Sequence, residues 1–253
     1  SGDMRPRCLA LLLCLLPASL HAGDADALVH SALAAEAAFH TQEALKLLLQ
    51  ADDLRPNDPF ILQKIARQYS DLTVDTPDLA EKKRLCTEAL AFAKRSVDLA
   101  PKDAVNVLSL AICYGKLGTY SDTRTKIEYS RFVKQYAEQS LALDPNYDYA
   151  HHVLGRWNYE VASLGAATRF IVRLVYGALP DASTAEAVRQ LKRATEISPQ
   201  LPAHRVELGF ALLADGQRDA ARQAFEQGLA MPKREKYDDE ARQRARDALE
   251  KLK

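Results

Sequence analysis

Along most of this chain, apolar and small side chains recur three and four residues apart, with charged residues between them. That spacing places them on one face of a helix turning every 3.6 residues. The helical stretches come in pairs, and the pairs are punctuated by proline. Pro56, Pro101, Pro145 and Pro199 each stand three residues before a new block, so the blocks begin at Ala25, Pro59, Ala104, Asp148 and Pro202. The seventh and eighth positions of the blocks read Ser31-Ala32, Ile65-Ala66, Leu110-Ala111, Leu154-Gly155 and Leu208-Gly209. The eleventh reads Ala35, Tyr69, Tyr114, Asn158 and Leu212. In the first block the spacing predicts helices over about 24–39 and 41–54, with Thr41 as a candidate cap for the second. In the last block, Gly216 makes the turn between helices, Ala221 and Phe225 lie four apart on the second helix, and Pro232 closes it.

This arrangement resembles the tetratricopeptide repeat, whose signature sets Leu-Gly and an aromatic on the first helix, A-x3-F on the second, and a closing proline. The implied fold is all-α: a right-handed α-solenoid of about five tetratricopeptide-like helix pairs with a C-terminal capping helix. The first unit, 25–58, has the repeat's standard length of 34 residues, whereas 59–103, 104–147 and 148–201 are longer. First-helix marks keep their spacing from the block start, and second-helix marks keep theirs from the closing proline. The extra residues therefore fall between the two, at about 72–80, 119–129 and 162–182. The last insertion carries Phe170, Ile171, Val172, Leu174, Val175 and Tyr176, broken by Arg169 and Arg173. It reads either as an amphipathic membrane-touching segment or as a short helix buried against the repeats, the commoner fate of an apolar stripe. Residues 238–253 form a charged helix with Ala241, Ala245, Ala248, Leu249 and Leu252 on one stripe, as a solenoid's polar-faced closing helix requires. Asp238 or Asp239 is placed to cap it.

The N-terminal residues are expected to be a targeting segment. Residues 1–3 precede Met4 as an added remnant. Arg5 and Arg7, the apolar run Cys8 to Leu16, and the small-residue exit ending at Ala22 follow the order of a secretory signal peptide over 4–22. The run is too short to span a bilayer, which takes about 20 residues. Cleavage after Ala22 would leave one solenoid domain, 23–253, exported to the periplasm or secreted. It would also leave two cysteines, Cys86 and Cys113. An oxidising compartment permits their pairing, but both lie in helical patterns and read as two buried free thiols.

Residues from about Ala104 to the C-terminus are similar to the regulator of microtubule dynamics family. The similarity rests on Leu154-Gly155-Arg156-Trp157-Asn158-Tyr159-Glu160-Val161 with Asp144-Pro145 and Ala150-His151 before it. The insert Gly177 to Pro180, Ser183 to Ala187, and the ending from Met231-Pro232 through Ala248-Leu249 carry it further. Eukaryotic members are membrane-anchored, some join the endoplasmic reticulum to mitochondria, and a tetratricopeptide-like domain there binds and moves phospholipid. The resemblance implies the fold and a groove for lipid or peptide. An exported bacterial chain would not meet microtubules.

In tetratricopeptide repeats, positions two, five, nine, twelve and thirteen of each first helix build the concave wall. Carried over, they give Phe60, Gln63, Arg67, Ser70 and Asp71 from the second unit and Val105, Leu108, Ile112 and Lys116 from the third. The fourth unit gives Tyr149, His152, Arg156, Tyr159 and Glu160, and the fifth gives Ala203, Val206, Phe210 and Leu213. Arginines beside an apolar wall suit an anionic amphipathic ligand, because guanidinium forks bind carboxylate or phosphate in two-pronged fashion. Alternatively, Arg67 and Arg156 pair with Asp71 and Glu160, each four residues on. The expected function is a non-catalytic scaffold holding a peptide or protein partner, with carriage of lipid or another anionic amphiphile as the alternative. Formal net charge is +0, so nothing draws the chain to nucleic acid. The motifs of hydrolases, phosphate loops and H-E-x-x-H metalloproteases are missing. His151 and His152 point about 100° apart, and His204 with Glu207 supplies two ligands of a common type, so neither a metal nor a cofactor is expected.

Overall fold

The computed structural model describes residues 18–252, with side chains from Gly23 onward. Among these residues are twelve helices and no strand. They are α1 (Ala18–Ala37), α2 (Thr41–Leu54), α3 (Pro59–Leu72), α4 (Leu79–Leu99), α5 (Ala104–Thr119) and α6 (Thr123–Leu143). The series continues with α7 (Asp148–Ala162), α8 (Ala166–Tyr176), α9 (Thr184–Ile197), α10 (Pro202–Ala214), α11 (Arg218–Ala230) and α12 (Asp238–Lys251). The pairs that pack as repeat units are α1–α2, α3–α4, α5–α6, α7–α9 and α10–α11, with α12 closing the end against α10 and α11. This is the helical solenoid that the repeat pattern implies. The added remnant 1–3 and residues 4–17 of the expected leader lie outside the described residues, and α1 runs through Ala22.

The block starts are explained by local hydrogen bonding. Asp58 and Asp103 follow their prolines by two residues, and each accepts hydrogen bonds from the first amides of the next helix. Phe60 N lies 2.9 Å from Asp58 Oδ1 and Val105 N 2.9 Å from Asp103 Oδ1. These aspartates satisfy donors that a helix start leaves unpaired. Thr41 does not act this way. Phe39 takes a left-handed turn (φ 61°), so the helix begins at Thr41 itself, the preceding His40 offers no side-chain cap, and Thr41 is buried.

Of the first two insertions, 72–80 is mostly connection and 119–129 is mostly helix, and the second helices of both units are lengthened. α4 and α6 each run 21 residues, and the connections before them are only 73–78 and 120–122. The stretch Leu79 to Leu85 contains good helix formers and neither glycine nor proline. The second helix therefore extends backward until Asp78 stops it with a cap to Glu81 N at 2.8 Å. The third insertion does form its own element, α8. The burial expected for it is not found: only Val172 is buried, while Phe170, Ile171, Leu174 and Val175 are exposed.

Core contacts follow the repeat marks. Ala32, Ala66, Ala111 and Leu154 are buried at the seventh and eighth positions. At the eighth position of the later units a side chain would collide with the second helix. A Cβ on Gly155 would meet Leu191 Cγ at 2.5 Å, and one on Gly209 would meet the Phe225 ring at 2.6 Å. Cys86 and Cys113 are free and buried in one cluster with Leu90, Leu110 and Leu117. Burial pushes the Cys113 thiol up to about 12, so it packs as a small hydrophobe.

Leu154→Ala is expected to cost about 2–5 kcal/mol, through lost transfer energy plus a cavity. Gly209→Ala is expected to cost about 1–3 kcal/mol, because the Phe225 ring must move. Urea denaturation of both variants checks this, and a change below about 0.5 kcal/mol, the range of uninvolved surface sites, would put the repeat marks in the wrong phase.

Candidate functional site: the concave face and its internal strap

The first helices of units two to five stand side by side, α3 against α5, α5 against α7, and α7 against α10. The candidate residues therefore lie on adjacent helices, but they divide into three groups. Leu108 and Val206 are fully buried and belong to the core. Ile112, Phe210 and Leu213 keep partial exposure. The polar members are already engaged, chiefly by parts of the chain that the repeat pattern does not single out.

The segment 231–237, between α11 and α12, crosses this face as a strap. Its Glu235 carboxylate receives Arg67 at 2.7 Å on one oxygen and the Tyr149 hydroxyl at 2.7 Å on the other. Tyr237 donates its hydroxyl to Ser70 O at 2.7 Å, and Lys116 Nζ lies 3.9 Å from the centre of its ring while donating to the same carbonyl at 2.8 Å. Lys236 pairs with Asp75 at 2.6 Å, and Lys233 lies over the Phe39 ring. The strap is held in shape from behind. Asp238 Oδ2 accepts from the amides of Arg234 and Glu235 at 2.7 and 2.8 Å. The expected cap of α12 thus faces upstream, bracing the strap rather than its own helix.

Arg67 also faces Glu36 at 3.8 Å and Asp71 at 3.7 Å. Burial opposes its charge, yet Glu36, Asp71 and Glu235 together hold its pKa above the ordinary value. Burial raises the Asp71 carboxyl to about 6 against the pull of Arg67 and Lys116. Lys116 is brought down to about 8 by burial, with Asp71 opposing.

A second network lies between α7, α10 and α12. Glu207, almost wholly buried, accepts from the Tyr159 hydroxyl and from Arg244, with Arg156 at 3.7 Å. Arg156 also meets Glu160 at 2.7 Å, so the pairing four residues on that the sequence allows is present. Arg244 stacks on Phe210, 4.4 Å from its centre. Burial alone would raise the Glu207 carboxyl; Arg156 and Arg244 overcome it and bring it down to about 2.

Next to it, Asp148, His204 and His152 form a chain. His204 Nε2 lies 3.0 Å from Asp148 Oδ2, and the two Nδ1 atoms of His204 and His152 are 2.9 Å apart. Asp148 stays ionised, since hydrogen bonds from His204 and Ser198 outweigh its burial. It can only accept, so His204 donates through Nε2 and receives the Nδ1–H of His152. His204 and Glu207, a candidate metal pair by spacing, are thus spent in different networks.

The sequence marked Ser70 as a wall position but not Glu235, Tyr237, Arg244 or Glu36. One signal was available: the connection into the capping helix is longer than a tight turn needs and holds Lys233-Arg234-Glu235-Lys236-Tyr237, rich in groups that can pair.

Fold and concave face together define a tetratricopeptide-repeat protein. Among solved structures the chain is similar to TTC0263, a thermophilic TPR protein of Thermus thermophilus, with a TM-score of 0.63 and 20% identity, covering 89% of this chain and 98% of that one. A family model, Regulator of microtubule dynamics protein 1-3, matches residues 28–253, and the chain belongs to that family. It is 28% identical over 158 residues to Regulator of microtubule dynamics protein 3 of Xenopus laevis, covering 62% of this chain and 34% of that protein. Against Regulator of microtubule dynamics protein 1 of Bos taurus it is 28% identical over 160 residues, 63% of this chain and 50% of the relative. The chain thus spans between a third and a half of the length of these relatives.

Burial, reinforced by the neighbouring His204, lowers the His152 pKa from 6.5 to about 3. Between those values the unfolded chain binds the proton that the folded chain refuses, so stability falls as pH drops below 6.5. Glu207, lowered from 4.5, acts in the same direction below that value, and Asp71, raised from 3.8, acts against it. His152→Gln is expected to flatten the decline between pH 6.5 and 4, measured as urea midpoints across a pH series. An unchanged slope would remove His152 as its source.

Proposed function

We propose that the chain is a non-catalytic scaffold whose concave face holds an extended segment of a protein or peptide partner. The strap carries this reading. Arg67 and Tyr149 on one carboxylate, beside Lys116 and Ser70 O on one tyrosine, make a built site for an acidic residue followed two positions later by an aromatic one. Charge-assisted hydrogen bonds and a cation over a ring are contacts that a partner segment of the same chemistry would reproduce. The fold supports it too, since tetratricopeptide solenoids offer extended concave binding surfaces. Carriage of a lipid by this face is the weaker reading, because Leu108 and Val206 are spent in the core and leave Ile112, Phe210 and Leu213 as its apolar surface.

The test uses a fluorescent peptide Met-Pro-Lys-Arg-Glu-Lys-Tyr, the strap's own sequence, added to the full chain and to the chain carrying Glu235→Ala and Tyr237→Ala. The opened chain is expected to bind at least about tenfold more tightly, since its site is no longer filled from within. Adding Arg67→Ala to it should remove about 1.5–3 kcal/mol of that affinity, the worth of a charged hydrogen bond. Equal binding by all three chains, or none by any, would sink the assignment.

We further infer that the chain works outside the cytosol, from the Arg-flanked apolar run ending at Ala22. N-terminal sequencing after expression with its own leader should find Gly23. Intact Met4 in a cytoplasmic fraction would refute export.

A further inference from the structure

The insertion in unit four leaves α8 nearly unsupported. The helix is not among those that pair extensively with another. It is tethered by buried Val172 and by Arg131 of α6, which donates to the carbonyls of Tyr176, Gly177 and Ala178 at 2.9, 3.1 and 3.3 Å. At 100° per residue, Phe170, Leu174, Ala167, Ile171 and Val175 share an arc of about 140°. All five are exposed, Phe170 by 65% and Leu174 by 74%. Arg173 borders that arc, about 60° beyond Phe170, whereas Arg169 lies on the far face of the helix, between Tyr176 and Arg173. Between Glu160 and Asp181 they are the only charged residues, so the segment carries two positive charges and no acid in a chain whose net charge is +0.

We propose that α8 docks on an anionic lipid bilayer, lying in the interface with its apolar arc among the acyl chains and Arg169 and Arg173 reaching lipid phosphates. A broad apolar arc with arginines on the remaining, polar side of the helix is the pattern of helices that lie in a membrane surface, where the long side chains reach up to the headgroups. Among the described residues no helix is long and apolar enough to cross a bilayer, so the contact is peripheral. Charge selects the membrane over a second copy of the chain: pairing two α8 helices would gather four arginines with no acid on either helix to meet them. An anionic surface meets them directly. The proposal does not depend on what the concave face holds.

Cosedimentation of the full chain with phosphatidylcholine vesicles, with and without one-third phosphatidylglycerol, tests it. The chain is expected to bind the anionic vesicles and to bind the neutral ones at least about tenfold more weakly. Phe170→Ser with Leu174→Ser should weaken binding by about tenfold or more, because two large apolar side chains no longer leave water. Arg169→Gln with Arg173→Gln should weaken it and remove most of its salt dependence. All four sites are exposed, and an unchanged urea midpoint verifies folding. As a measurement that perturbs packing least, Phe170→Trp should show blue-shifted emission on adding anionic vesicles. Wild-type chain left in the supernatant, a serine variant that binds as wild type, or unshifted tryptophan emission would each overturn the proposal. So would a concentration-dependent dimer that the serine variant abolishes, which would give the arc to a second copy.

Discussion

Close approach between paired helices at the eighth position of each unit is the contact on which everything else rests. Where that position is Ala66 or Ala111, the second helix packs onto a methyl group. Where it is Gly155 or Gly209, Leu191 or Phe225 occupies the space a side chain would need. The approach brings the second helices inward and lets the first helices line up as a continuous wall. Without that line, Arg67 of α3 and Tyr149 of α7 would not reach the same carboxylate.

The wall is also an electrostatic balance. It gathers Arg67, Lys116, Arg156 and Arg244 with Asp71, Glu207 and Glu235 in a partly dry setting, where an unpaired charge is expensive and a paired one is strongly held. Each of these groups but Lys116 stands in an ion pair within the chain, and Lys116 is held by Ser70 O and the Tyr237 ring. Under the proposed scaffold function, a partner segment would therefore gain by replacing the strap, group for group, rather than by meeting bare charge. Apolar exposure is greatest on α8, at Phe170, Ile171, Leu174 and Val175, while the first helices of units two and three keep Phe60, Val105 and Ile112 exposed to a lesser degree.

Much of this could be read from residues alone. The proline offsets gave the unit starts because an aspartate two residues after Pro56 and Pro101 caps the next helix. Leu-Gly and Ala-x3-Phe gave the core because their spacing is that of a helix face. What escaped was whatever depends on curvature. Nothing in local spacing brings Glu235 to Arg67, 168 residues away, and nothing in the alternation along α8 says whether another helix stands opposite it. The lengths of α4 and α6 were missed for another reason: extra residues between two sets of marks look like a loop whether or not they continue a helix. Leu108 and Val206 were assigned to the wall by position, but the fifth position turns toward the neighbouring helix when units pack this tightly.

The strap also changes how the molecule should come apart. A solenoid is ordinarily a one-dimensional array, in which each repeat feels only its neighbours and the ends fray independently. Here the last connection is pinned to units one to four through Phe39, Arg67, Ser70, Asp75, Lys116 and Tyr149. The two ends share one set of contacts, so fraying of α12 exposes α3 as well. Such contacts also close a very long loop, whose entropy must be met before any of them forms. The chain is therefore tied as a ring is rather than stacked as a rod is, and strap contacts such as that of Glu235 with Arg67, 168 residues apart, are the ones expected to form last.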